Sequence, residues 1–177
     1  MIEIAAVLFS LLSVYLGAKN NILTWPIGII GIIFYFILFY NNSVMGNAYL
    51  QFLFILQSMF GWSKWGKERK ILNLTNKQSN LTISLCITLS LIVIYTLYLS
   101  GCKNVMLDGI TTSISIIALI LMSYKKVDCW YYWIIVDIIF VIFFIKINLY
   151  LSAATYFIFL ILAIYGLKEW KKISKMV

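Results

Sequence analysis

Cys129 to Phe144 reads CWYYWIIVDIIFVIFF. A run this apolar is a membrane helix, yet it carries a carboxylate, Asp137, near its centre. An ionised Asp at such a position costs roughly 2.5–3.5 kcal/mol on insertion scales, so it faces a polar cavity or a partner helix and not lipid. Trp130, Trp133 and Asp137 stand at i, i+3 and i+7, which a helix of 3.6 residues per turn brings onto one face. That face reads as half of a binding site for a flat small molecule, one that gains from carrying positive charge. The alternative is an interfacial tryptophan belt above an Asp that hydrogen-bonds a neighbouring helix.

The rest of the chain has the same character. Of its 177 residues 63% are hydrophobic and 11% charged, and the mean hydropathy is +0.99, which leaves too little polar material to cover a soluble domain. Runs able to span the roughly 30 Å of bilayer hydrocarbon recur along the whole length. One Pro and nine Gly supply too few turns for a β-barrel, and no alternating strand pattern is present. The start, Met1 to Gly17, carries Glu3 and no basic residue ahead of its apolar run, so it is expected to be a first helix and not a signal peptide.

Several function classes drop out. The chain contains no His, and Cys86, Cys102 and Cys129 have no CxxC spacing, so the usual zinc and haem arrangements are missing and no cofactor is expected. No phosphate loop, GxSxG elbow or HExxH occurs, and Asp137 stands apart from any nucleophile, which argues against an intramembrane enzyme. The net charge of +8 does not imply nucleic acid, because the basic residues sit in short loops between apolar runs.

Seven spans are expected, making an all-α integral membrane protein: Ile4 to Ala18, Asn21 to Tyr40, Asn47 to Ser63, Leu81 to Gly101, Val105 to Tyr124, Cys129 to Ile145 and Leu149 to Leu167. Only Lys64 to Asn80 is a long polar connection. With seven spans, Lys19, Lys64, Lys67, Arg69, Lys70, Lys77, Lys125, Lys126, Lys168, Lys171, Lys172 and Lys175 fall on one side and only Lys103 and Lys146 on the other. That asymmetry predicts an outside N-terminus and a cytoplasmic C-terminus.

The first and last thirds resemble each other. A shift of 105 superposes Gly61 on Gly166, Trp65 on Trp170, Trp25 on Trp130 and Gln51 on Tyr156, whereas a shift of 108 would put Trp25 on Trp133. Three helices per copy is an odd number, so an extra helix between them is needed to keep the copies parallel. The expected plan is 3+1+3, with residues 1–66 as the first repeat, 67–104 as polar loop and linker helix, and 105–177 as the second repeat with a basic tail. Parallel-repeat transporters place their substrate between such halves near mid-membrane.

Polar residues inside the spans extend the candidate site. Gln51, Phe54, Ser58, Gly61 and Trp65 share a face of the third helix, with Gln57 beside it. The matching face of the seventh helix is Tyr156, Phe159, Ala163, Gly166 and Trp170. Gly61 and Gly166 read as packing positions. Gln51 can bridge helices or read a ligand's amide or hydroxyl edge. Asp108 reads as an N-terminal helix charge, with Thr112 and Ser115 extending a polar stripe. Trp25 precedes Pro26, which suits a first helical turn.

WPIGIIGIIFY at Trp25 to Tyr35, YLQFLFILQSMFGWSKW at Tyr49 to Trp65, LDGITTSISIIALILM at Leu107 to Met122, and WYYWIIVD followed by LYLSAATYFIFLILAIYGLKEW resemble the Pnu vitamin transporters over almost the whole chain. The most specific parts are WP, LQ with the following GW-x-x-W, and W-x-x-W-x-x-V-D, and the likeness is to the nicotinamide riboside branch, whose relatives carry thiamine or riboflavin. The resemblance implies a fold similar to the SWEET sugar transporters and a location in the bacterial cytoplasmic membrane. It also implies a homotrimer, and facilitated diffusion of a phosphate-free vitamin trapped by a cytoplasmic kinase. Trp130 and Trp133 would then stack on the ligand ring, and Gln51 and Asp137 would bind its polar groups, with Gln57, Trp25 and Tyr156 completing the candidate set. A structural membrane subunit without a ligand is the reading from another class.

Overall fold

The computed structural model describes residues 2–41, 45–65, 70–102 and 104–176, the side chains of 39 and 45–50 excepted. Lys67, Arg69 and Lys103, which enter the charge asymmetry, lie outside the described residues. The chain forms seven helices among the described residues: α1 Ile2–Ala18, α2 Thr24–Asn41, α3 Met45–Trp65, α4 Asn76–Leu99, α5 Val105–Ser123, α6 Cys129–Lys146 and α7 Tyr150–Ser174. α4 to α7 are each long and apolar enough to cross a membrane, and α1 and Thr24–Leu38 are shorter apolar helices.

Shifting α1, α2 and α3 by 105 residues lays them inside α5, α6 and α7. The packing follows the same relation. α1 packs on α2 and α2 on α3, as α5 packs on α6 and α6 on α7. Two further pairs, α3 with α5 and α7 with α1, exchange under the shift and close six helices into a ring. α4 packs on α5 alone and has no buried residue, as a linker helix facing lipid on most sides should. Gly109 allows this contact, since a Cβ there would collide with Ile94 of α4.

The turns that end α1 and α5 are also copies. Asn20 and Lys125, 105 apart, both take left-handed backbone, with φ of 53° and 50°. Each is followed by a six-to-one helix-closing bond, from Asn21 N–H to Leu16 O at 2.9 Å and from Lys126 N–H to Leu121 O at 2.9 Å. This is a Schellman-type stop made without the usual glycine. Asn tolerates that conformation; Lys does so rarely, so the tertiary contacts of Lys125 must hold it.

Most boundaries fall within three residues of the sequence expectation, and two differ by more. α7 runs on past Leu167 to Ser174, because Trp170 packs inward and Lys171 and Lys172 suit the negative end of a helix dipole. α4 starts at Asn76 and not Leu81, since Thr75 and Gln78 form a reciprocal capping box that nucleates it earlier. The described part of the polar connection before α4 is paired. Leu72 N–H donates to Lys125 O at 3.2 Å, Val127 N–H to Leu72 O at 3.0 Å, and Leu74 N–H to Asp128 Oδ2 at 2.8 Å. Ile71 and Val127 are buried beneath this bridge. The buried apolar core accordingly gathers at the end of the bundle where the basic residues lie.

Candidate substrate site

Four indoles close the basic end of the ring. Trp25, in the first turn of α2, lies over Gly61 of α3, where a Cβ would collide with its ring. It meets Trp65 edge-on, with ring centroids 5.4 Å apart and planes at 88°. Trp130, at the start of α6, lies over Gly166 of α7 and meets Trp170 edge-on at 5.5 Å and 88°. Such T-shaped pairs contribute about 0.5–1.5 kcal/mol beyond area burial. Trp65 and Trp170 then face each other across the two halves at 5.9 Å. Trp65 donates its indole N–H to Met122 O at 2.9 Å, and Trp170 donates to Gly17 O at 3.0 Å; the two acceptors are themselves 105 apart. The Lys125 ammonium sits 4.7 Å above the Trp65 ring, a distance at which a cation and an indole face attract. Burial pushes the pKa of that ammonium down from its ordinary value.

This packing fixes the register that the sequence leaves open. Trp25 and Trp130 rest on twin glycines and twin partners, so the shift is 105 in α2 and α6 as elsewhere. Trp133 therefore corresponds to Gly28, and Asp137 to Ile32. Gly28 has no side chain, and Ser13 of α1 approaches it closely. The polar face of α6 has no twin: the halves are alike in fold and unlike in the residues they present at mid-membrane.

Asp137 is 5% exposed and makes no hydrogen bond or ion pair with the described residues. It lies within electrostatic reach of Tyr156 on α7, which also senses Tyr35 on α2. Tyr156 packs against Phe140 at 4.6 Å and Phe144 at 5.4 Å between ring centroids. The structure thus brings Asp137, Tyr156 and Tyr35 into one neighbourhood from three helices. Tyr35 is the member sequence reasoning missed; the shift of 105 sets it on Phe140, one turn from Asp137, which was the available signal.

The other candidates divide. Trp133 is half-buried, one turn beyond Trp130, and packs against the core at the edge of the indole cluster. Trp25 and Trp130 are buried, and their indole N–H groups find no hydrogen-bond partner among the described residues. Gln51 is half-buried on α3. Gln57 donates from Nε2 to Ile116 O of α5 at 2.8 Å, so its amide ties α3 to α5. On α5, Thr111 and Ser113 are buried with their hydroxyls donated back to the carbonyls of Leu107 and Gly109, while Thr112 and Ser115 are half-buried. No cluster of potential metal ligands occurs among the described residues.

A ring of two parallel three-helix halves with a linker helix outside is the architecture of a parallel-repeat membrane transporter. The chain belongs to the nicotinamide mononucleotide transporter family, whose model matches residues 1–172. It is 23% identical over 201 residues to the nicotinamide riboside transporter PnuC of Escherichia coli (strain K12), covering 96% of this chain and 84% of that one. To the protein of the same name from Neisseria mucosa it is 26% identical over 197 residues, covering 98% and 72%. Among solved structures it is similar to the crystal structure of the vitamin B3 transporter PnuC, with a TM-score of 0.84 at 22% identity over 99% of this chain and 82% of that one. The protein is a multi-pass transporter of the bacterial inner membrane and not an enzyme.

Proposed function

We propose that the chain carries nicotinamide riboside into the cell by facilitated diffusion. Asp137 is the observation that carries this reading. Every described Lys lies in a loop or in the terminal turns of its helix, so among the described residues the mid-membrane region offers a carboxylate with no cation beside it. A phosphate there would meet uncompensated negative charge, which argues against the mononucleotide that gives the family its name. A pyridinium brings a positive charge for Asp137 and a flat face for Trp133, and a desolvated cation on an indole gains up to about 2 kcal/mol. Gln51 and Tyr156 supply hydrogen-bonding groups for a ribose or ring amide.

Ten of the eleven described basic residues lie at the end closed by the indoles, which supports a cytoplasmic C-terminus and an outside N-terminus. Trp65 and Trp170 then form the inner barrier of an alternating-access cycle, residues 1–66 and 105–177 being the moving halves and 67–104 their connection. Because diffusion alone only equilibrates the vitamin, retention is assigned to a cytoplasmic kinase. A homotrimer is the assembly the Pnu resemblance supports.

Thiamine is the second reading, favoured by the same carboxylate because its thiazolium is also cationic; riboflavin is neutral and gains nothing from it. Titrations of purified protein with nicotinamide riboside, nicotinamide mononucleotide, thiamine and riboflavin, followed by tryptophan fluorescence, separate these. Saturable binding of the riboside alone is expected. Tighter binding of the mononucleotide would overturn the charge reasoning, and the absence of any saturable ligand would leave a structural subunit.

A further inference from the structure

On the outer side of the ring, between the first turns of α4 and the last turn of α5, lies a groove of about 590 Å³. That is within the roughly 300–1,000 Å³ of small-molecule sites. Leu74, Leu81, Leu121 and Tyr124 form much of its wall, and Lys70 and Lys126 its basic rim. The rim is held in place by backbone, since Leu72 and Lys126 are bridged. Neither ammonium makes an ion pair, a hydrogen bond or a ring contact with the described residues. Among the described residues no carboxylate lines the groove. The nearest acidic side chain along the pairing, Asp128, is engaged by the Leu74 N–H.

Two cations without a partner among the described residues, above an apolar wall, suit an occupant with both chemistries. Leu81 is 60% exposed and α4 buries no residue, so the wall opens sideways onto hydrocarbon and not into the ring. The lysines stand at the helix ends, where polar headgroups lie. Basic pockets of this kind between membrane helices suit anionic headgroups. A second copy of the chain would offer the same unpaired lysines a partner of their own sign if the same face met itself.

We propose that this groove binds an anionic phospholipid, with Lys70 and Lys126 on the headgroup phosphate and an acyl chain along Leu81 and Leu121. The bound headgroup braces the pairing of Leu72 with the loop that carries Lys125, and so the cation held over Trp65. The site is independent of the substrate reading and of which end faces the cytoplasm.

The test uses the full chain purified in detergent, with thermal unfolding followed as phosphatidylglycerol, phosphatidylcholine or inorganic phosphate is added. Phosphatidylglycerol should stabilise the wild type and the other two should not. In the double variant Lys70→Gln/Lys126→Gln the lipid concentration for half the effect should rise by about tenfold or more, given a roughly five-fold loss per lysine at a membrane surface. Lys172→Gln/Lys175→Gln, which removes the same charge from the end of α7, should leave it nearly unchanged. Equal loss in the two double variants, no preference for phosphatidylglycerol, or the same stabilisation by phosphate alone would each overturn the site. Native mass spectrometry of the wild type needs no variant: retained phosphatidylglycerol is expected, and preferential retention of phosphatidylcholine refutes the proposal.

Discussion

Trp65 and Trp170 face each other at 5.9 Å, and each donates its indole N–H to the first helix of the opposite half, Trp65 to Met122 O and Trp170 to Gly17 O. The two halves therefore hold each other by a reciprocal pair of bonds at the basic end. Trp65→Phe or Trp170→Phe keeps a ring and removes one donor from a buried carbonyl. Each should cost about 1–2 kcal/mol, the scale of one lost buried hydrogen bond. The copied bonds should cost alike, with Trp65→Phe losing somewhat more because the Lys125 ammonium rests on its indole, as measured by denaturant unfolding in detergent. A loss confined to one variant would mean that the symmetry of geometry is not a symmetry of energy.

The glycines beneath the outer indoles set a second prediction. A Cβ at Gly61 would collide with Trp25, and one at Gly166 with Trp130, and in both cases the obstacle is a buried ring with no space to retreat. Gly61→Ala and Gly166→Ala should each destabilise by about 1–3 kcal/mol through overpacking. Gly101 has open space around it, but its φ of 71° makes it a poor control, so Ala154, exposed on α7, replaced by Ser is the reference substitution. Midpoints of thermal unfolding check the order.

Much of this arrangement is legible in the sequence, and the gaps have physical causes. Seven spans show because apolar runs of membrane length need only local composition. The 105-residue repeat shows at Gly61 and Gly166 and at Trp65 and Trp170, where small and large residues recur at helical spacing. It blurs in α6, because Trp130 and Trp133 are interchangeable as letters and only the glycine beneath Trp130 tells them apart. The Leu72 to Lys126 bridge is not legible: it is one backbone pairing between two polar segments, marked only by Ile71 and Val127 as single buried apolar residues. The donation of Gln57 to Ile116 O is equally non-local, so residue type alone leaves its choice between ligand and helix open.

Trp130 and Trp133 should now fail differently. Trp130 is 1% exposed in the indole cluster, so Trp130→Ala removes core volume and should cost about 3–5 kcal/mol of stability. Trp133 is half-buried, and Trp133→Ala should fold while weakening riboside binding by about 1–3 kcal/mol, if stacking on a base is the guide. Fluorescence titration beside thermal unfolding distinguishes the two. Wild-type affinity in a folded Trp133→Ala protein would end its stacking role.

Asp137 tests whether the charge or the polar contact matters. Asp137→Asn keeps an oxygen acceptor for the ligand and places no hydrocarbon against Tyr156, whereas Asp137→Leu removes both acceptors. The Asn variant should retain measurable riboside binding and the Leu variant should not. Equal and complete loss in two folded variants would assign the whole effect to the negative charge.

Transport should need no ion gradient. Proton-coupled carriers run relays of Asp, Glu or His through the membrane, and this chain has no His and six acidic residues. Glu3 and Glu169 stand in the first turn of α1 and the last turns of α7, Asp128 in the α5–α6 loop, and Asp108 in the first turn of α5, while Glu68 lies outside the described residues. That leaves Asp137 as the one described carboxylate deep in the bundle, with the phenol of Tyr156 as its titratable neighbour. A relay needs a second acceptor on each side, and no other described carboxylate stands beside Asp137 inside the bundle. The measurement is uptake into proteoliposomes without kinase, with and without an imposed proton or sodium gradient. Internal riboside should rise only to the outside concentration, and an ionophore should not alter the plateau. Accumulation above that level that collapses on adding the ionophore would show coupling, and Asp137 would then be read as the proton carrier instead of a contact for the ligand.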